Sequence, residues 1–290
     1  MKYLNFKNLV FALTCLGALQ NGVNAGEDTY QIKFLAEING SPLKCGQSYS
    51  GVGSTSAEVT PTDFRMYVSN ISLQNAQGIW VKAQLVPDGI WQTSLVALID
   101  FEDGSGPCRN GTAPTNTAIK IKAPGQPYQA IRFELGVPFE LNHANPTVAQ
   151  PPLSSTSLFW NWQNGYRFIK FDARVAPQGY NLSGKTVASG FSFHLGSTEC
   201  ASPSASPAKE CKNPNRVAVE LKNYDPLKNS LVVDIARILT KTDLLSNTPQ
   251  TSPGCMSFPG DPDCTGVMSL IGLPYQGIAT NTSQKLISVR

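Results

Sequence analysis

The chain has 290 residues, with 23 Lys and Arg against 20 Asp and Glu, 15% charged residues and 41% hydrophobic ones. So small a net charge, with no block of Lys or Arg, supplies no long-range field for nucleic acid or anionic lipid, and both partner classes are excluded.

Lys2 and Lys7 precede a nearly unbroken apolar stretch from Leu9 to Leu19, and Val23-Asn24-Ala25 offers small residues around a cleavage point. This is the pattern of a secretory leader over residues 1–25. The stretch falls short of the roughly 20 apolar residues of a membrane span, and no later segment approaches that length. Cys15 lies between Thr14 and Leu16, without the small neighbours of a lipidated cysteine, and is read as part of the discarded leader. Removal of Lys2 and Lys7 leaves 21 basic residues against 20 acidic ones. The expected location is the periplasm, with the cell surface or the medium as further destinations of the same export route. Residues 26–290 read as a single domain, since β sandwiches run to roughly 200 residues or more.

From Tyr30 to Ile38 the sequence alternates, with Ile32, Phe34, Ala36 and Ile38 on one side and Lys33 and Glu37 on the other. That is the period of a half-buried strand. Phe64 to Leu73 repeats it after a Gly/Ser-rich loop. Further strands are predicted at Ile79–Leu85, Ser94–Phe101, Ala118–Ile121, Ala130–Leu135, Ser189–Leu195, Val217–Leu221 and Leu231–Leu239, with loops at Asn142–Ser157 and Ser202–Pro214. Short strands punctuated by 24 Gly and 21 Pro predict an all-β fold: an antiparallel sandwich or jelly-roll-like domain with long loops.

Beyond the leader stand six cysteines, Cys45, Cys108, Cys200, Cys211, Cys255 and Cys264. An even number in an oxidising compartment reads as disulfides. The close neighbours Cys200/Cys211 and Cys255/Cys264 suggest two local bridges, leaving Cys45 for Cys108, although spacing alone leaves other pairings open. No C-x-x-C marks a zinc or iron–sulfur site.

Two histidines remain to carry chemistry, His143 and His194. Neutral imidazole is a common nitrogen ligand for copper and zinc. A catalytic zinc would want three protein ligands, and neither H-E-x-x-H nor H-x-x-E-H is present. Between the histidines runs Phe159-Trp160-Asn161-Trp162-Gln163-Asn164-Gly165-Tyr166-Arg167, in which Asn164-Gly165 signals a two-residue hairpin turn. Trp160 and Trp162 would share one strand face, and Trp162 would face Arg167 in a cation–π pair. Core packing is the plainer reading of both aromatics. A hydrolase reading is weak: Ser197, near His194, lacks a G-x-S-x-G elbow, and Asp63, Asp100 and Asp172 are scattered along the chain.

Five stretches in order carry a resemblance over most of the chain: Asp63–Asn70, Leu98–Gly104 with Cys108, Phe159–Asp172, His194–Cys200 and Pro253–Ser257. In these the sequence resembles the MbnP-like bacterial periplasmic proteins, also described as the four-cysteine partners in metallo-mystery pairs. The resemblance implies copper as the bound metal, held by histidines and a tryptophan oxidised to kynurenine by an MbnH-like dihaem cytochrome c peroxidase. By resemblance, His143 and His194 are the expected ligands and Trp160 or Trp162 the modified residue. Such a set leaves a coordination position for water or a further donor, for which Met256 is a soft candidate. The expectation is of a copper-binding protein of acquisition or homeostasis and not of an enzyme. A disulfide-stabilised structural or adhesive surface module without metal is the alternative.

Overall fold

The computed structural model describes residues 26–177, 189–201, 208–280 and 282–290; the expected leader and part of the 202–214 loop lie outside them. In chain order the first strands are β1 (Glu27–Ile38), β2 (Ala57–Asn75), β3 (Val96–Asp100), β4 (Ala118–Pro124) and β5 (Tyr128–Leu135). A connection containing the short helix α1 (Phe139–Asn142) leads to β6 (Phe159–Asn161), β7 (Gly165–Tyr166), β8 (Ile169–Ala176) and β9 (Ser189–Leu195). Then come β10 (Thr198–Ala201), β11 (Glu210–Asn213), β12 (Val217–Lys222) and β13 (Leu231–Asp234). The helix α2 (Ala236–Leu239), β14 (Gly254–Cys255), the helix α3 (Cys264–Leu270) and β15 (Ile287–Val289) complete the chain.

Two sheets enclose the main core. The larger runs β12-β5-β2-β8-β9-β14, with β3 and the short strands Tyr49–Val52 and Trp80–Lys82 also on β2. The smaller runs β15-β13-β1-β4 and ends at Gln84–Leu85. Pairing is mainly antiparallel, as the all-β reading expects, with parallel pairs at β1–β13 and β9–β14. Ile32 and Phe34 of β1 pack with Phe64 and Met66 of β2, Phe171 of β8 and Phe193 of β9. Phe64 meets Phe171 edge to face at 5.5 Å.

The sequence expects β2 to be buried on one face only, but almost every residue from Val59 to Leu73 is buried. A second cluster explains this. Tyr67 of β2 and Leu98 of β3 point away from the main core into a layer with Val137, Leu153, Leu158, Tyr166 and Phe168. The segment between β5 and β8 therefore lies over the outer face of the large sheet, and a strand covered on both faces loses its alternation.

Three expected elements differ. Ile79–Leu85 is two pieces on different sheets, because the chain crosses between them at buried Ala83. The expected strand Leu231–Leu239 stops at Asp234, whose carboxylate accepts the Asn39 and Ala236 amides at 3.1 Å and turns the chain into α2. In the tryptophan hairpin Asn161 pairs with Gly165, so the turn holds Trp162, Gln163 and Asn164 rather than Asn164-Gly165 alone. Asn161 Oδ1 accepts the Gln163 and Asn164 amides and closes that turn. The suggested disulfides Cys45–Cys108, Cys200–Cys211 and Cys255–Cys264 are all present.

If the aromatic packing of the main core dominates stability, Phe64→Ala lowers unfolding free energy by about 3–5 kcal/mol in urea denaturation with disulfides intact. Leu227→Ala, at an exposed site, changes it by no more than about 0.5 kcal/mol. Equal effects would contradict this placement of the core.

Candidate metal centre

Alternation along a strand sends Phe64, Phe171 and Phe193 into the main core and their neighbours to the outer face. Register then sets charges side by side. Asp100 pairs with Arg65, Arg65 with Lys170, and Lys170 with His194; one step along, Asp63 pairs with Asp172 and Asp172 with Ser192. The carboxylates that look scattered in sequence are therefore gathered into one patch. Asp63, Arg65, Lys170 and His194 are all buried.

A buried charge persists only when paired, and these are. Arg65 donates from Nε and Nη2 to the two oxygens of Asp63, at 2.9 and 2.5 Å. Lys170 Nζ reaches Asp63 Oδ2 and, at 3.4 Å, Asp172 Oδ2. Asp172 Oδ1 lies 2.7 Å from His194 Nε2. Burial opposes ionisation of Asp172, but the hydrogen bonds of His194 and Ser192 and the charge of Lys170 outweigh it and hold the carboxyl below its ordinary range. At the far end, among the described residues, no salt bridge engages Asp100. Burial, then Glu102 and Asp63, push its pKa up to about 7 against the pull of Arg65.

An ionised Asp172 can only accept, so His194 Nε2 carries the ring proton. In the neutral ring that proton leaves the lone pair on Nδ1, an atom buried without a hydrogen-bond partner among the described residues. A carboxylate on one ring nitrogen and an open lone pair on the other is the arrangement of a metal-ligating histidine. The observation makes His194 a fit for copper. The parallel register Ser192–Gly254 and Phe193–Cys255 brings the end of β14, and Met256 after it, to the His194 end of β9. Ser257 Oγ donates to the His194 carbonyl at 2.8 Å, fastening the two segments.

His143 follows α1 and is also buried. Burial lowers its pKa, with the Trp162 carbonyl working the other way, so the ring is neutral at physiological pH. Asn142 Nδ2 lies 3.1 Å from Nε2, and Cys211 Sγ lies 3.4 Å from the same nitrogen. Its Nδ1 is buried without a hydrogen-bond partner. Among the described residues no hydrogen bond or ring contact joins the two histidines. They approach the same turn from different neighbours: Asn142 reaches Ser197 Oγ at 3.5 Å, while Gly196 is two residues from His194.

The two tryptophans part company. Trp160 lies against Gly196, where an added Cβ would come within 2.4 Å of the indole. It is flanked by Phe258 at 5.5 Å and by the Arg167 guanidinium at 5.6 Å. Trp162 sits in the turn, 48% exposed and edge-on to Phe159. The expected Trp162–Arg167 pair is thus a Trp160–Arg167 pair, because the three-residue turn removes Trp162 from the strand. Ser197 donates to the Pro214 carbonyl at 3.0 Å rather than meeting His194.

Sequence reasoning missed Asp172, Lys170, Asp63 and Arg65 as a unit, and Asn142 and Cys211 as neighbours of His143. The signal for the first group was present. Asp63-x-Arg65 and Lys170-x-Asp172 place charges at alternate positions within strands whose other positions are large and apolar.

Fold and centre together define a class: an all-β protein with three disulfides and two buried histidines, His194 on its larger sheet and His143 in the segment that covers the outer face of that sheet. No helix among the described residues is long and apolar enough to cross a membrane. The family model for MbnP matches residues 27–257, and the chain belongs to the MbnP family. Among solved structures, MbnP from Methylosinus trichosporium is similar with a TM-score of 0.77 and 25% identity, covering 91% of this chain and 98% of that chain. No curated protein matches the sequence.

Asp100 binds its proton near pH 7 when folded, against 3.8 ordinarily. A carboxyl with a raised folded pKa favours the folded state at acid pH and loses that contribution as pH rises from about 4 through 7. Asp100→Asn keeps the Oδ1 acceptor for the Glu102 amide and should flatten this slope. Urea unfolding should show a gain of roughly 1–3 kcal/mol at pH 8 and little change at pH 4. An unaltered pH profile would contradict the assignment.

Proposed function

We propose that the chain is a periplasmic copper-binding protein, not an enzyme, whose ligands are His143, His194 and a tryptophan oxidised to kynurenine. The observation that carries the reading is His194, with Nε2 tied to Asp172 and Nδ1 buried and free. Imidazole nitrogen suits copper, and the Met256 thioether, one residue beyond β14, is the candidate soft donor. Membership of the MbnP family supports the same conclusion.

Trp160 is the favoured site of oxidation, because it packs on Gly196 beside the His194 strand end whereas Trp162 projects from the turn. The partner in this reading is an MbnH-like dihaem peroxidase. Peroxide oxidation through its haems opens the indole C2–C3 bond, and hydrolysis releases the C2 carbon as formate. The ring is left with an aromatic amine and a ketone, so that a donor-only group becomes a potential nitrogen ligand. Arg167, stacked at the edge of this site, and Asp172, fixing His194, hold the surrounding side chains in place.

Peptide mass spectrometry of protein from its native host should find a gain of about 4 Da on the peptide carrying Trp160. His143→Ala and His194→Ala should each abolish stoichiometric copper, and Asp172→Asn should weaken affinity by about 10–100-fold in competition titrations. Unmodified tryptophans together with copper binding indifferent to all three substitutions would overturn the proposal.

A further inference from the structure

His143 has a second set of neighbours that the copper reading does not use. β10 and β11 form a two-stranded ribbon in which Cys200 and Cys211 lie directly opposite each other and are bridged. The His143 ring faces that bridge, with Nε2 3.4 Å from Cys211 Sγ. The donor atoms of His143, Cys200 and Cys211 all lie within 4.8 Å of one another. Asn142 Nδ2, at 3.1 Å, orients the same Nε2 as a hydrogen-bond acceptor. Cys200 is buried, but Cys211 is partly exposed and borders a groove lined by Phe139, Lys209, Glu210 and Pro214. A reductant and an ion therefore have a way in.

A disulfide is a poor ligand, whereas two thiolates and an imidazole are a strong set for a thiophilic cation such as zinc, which takes Cys sulfur and His nitrogen. We propose that the Cys200–Cys211 bridge is a latent metal site, opened by a dithiol reductant and then closed on a thiophilic cation by both sulfurs and His143 Nε2. In the first step a thioredoxin-class dithiol gives two electrons and two protons to the bridge. Its own sulfurs join as a disulfide, the Cys200–Cys211 bond breaks, and two thiols result. In the second step the cation displaces both thiol protons, forming two metal–sulfur bonds and releasing the protons to solvent. The ribbon supplies both sulfurs from paired strands, so binding replaces the covalent link with a coordinative one across the same two positions.

The site exists only in the reduced chain and does not involve His194, which separates it from the copper reading. The full secreted chain is reduced with dithiothreitol, freed of it under anaerobic conditions, and titrated with Zn2+ and with Co2+ as a spectroscopic probe. Differential alkylation and peptide mapping identify the opened bridge. One ion per chain is expected after reduction and none in the oxidised chain, with Co2+ giving sulfur-to-metal charge-transfer absorption. His143→Ala should weaken the reduced-state binding by about a hundredfold, and His194→Ala should leave it unchanged. The Cys200→Ser/Cys211→Ser double variant should lose it. Failure of the reduced wild-type chain, with this bridge shown open, to take up either ion would overturn the proposal. So would uptake that survives in the double cysteine variant. Loss of copper from the oxidised His194→Ala chain, by contrast, reads out only the first site.

Discussion

The Asp172–His194 hydrogen bond is the constraint on which the centre depends. It lies within a patch where three buried ionisable side chains, Asp63, Arg65 and Lys170, and the partly exposed Asp172 neutralise one another at short range. Arg65 and Lys170 both engage Asp63, which leaves Asp172 with an oxygen to give to His194. The charge balance of three strands thereby fixes the tautomer of one imidazole. An exposed histidine would sample both tautomers and many rotamers; this one presents a single nitrogen.

That patch exists because the larger sheet is covered twice. Its inner face meets the smaller sheet through Phe64, Phe171 and Phe193. Its outer face meets the connection from Val137 to Phe168, whose own apolar cluster with Tyr67 and Leu98 holds the cover down. The Tyr67 hydroxyl, donating to the Pro152 carbonyl, ties the cover to the sheet, and the Tyr166 hydroxyl, donating to the Leu153 carbonyl, braces the cover internally. The same cover delivers His143 at the end of α1 and Trp160 in the hairpin. The Cys255–Cys264 bridge anchors β14 beside β9, next to His194. Packing, covalent bridges and charge pairing thus converge on the Gly196–Ser197 turn.

Much of this was legible in the sequence. Alternation in Tyr30–Ile38 and the short runs between Gly and Pro residues pointed to an all-β fold, and local cysteine spacing anticipated the bridges that are present. What was not legible follows from long-range register. No local rule says that Lys170 comes to lie between Arg65 and His194, so Asp63 and Asp172 read as unrelated carboxylates. The apolar run Leu231–Leu239 suggests one long strand because it continues into α2, while the turning signal is one side chain, Asp234, which accepts the Asn39 amide far away in sequence. The Trp162–Arg167 pairing failed by a single residue of turn length, because Asn161 closes a three-residue turn where Asn164-Gly165 suggested two.

In the proposed copper site, His194 meets the metal through Nδ1 while Nε2 keeps its proton and its bond to Asp172. Imidazole-selective nitrogen NMR of the isotope-labelled protein, recorded before and after addition of Cu+, tests this at the atom concerned. A large displacement of the His194 Nδ1 resonance is expected, with the Nε2 proton retained. An Nδ1 resonance unmoved at saturating copper, or loss of the Nε2 proton in its place, would contradict it.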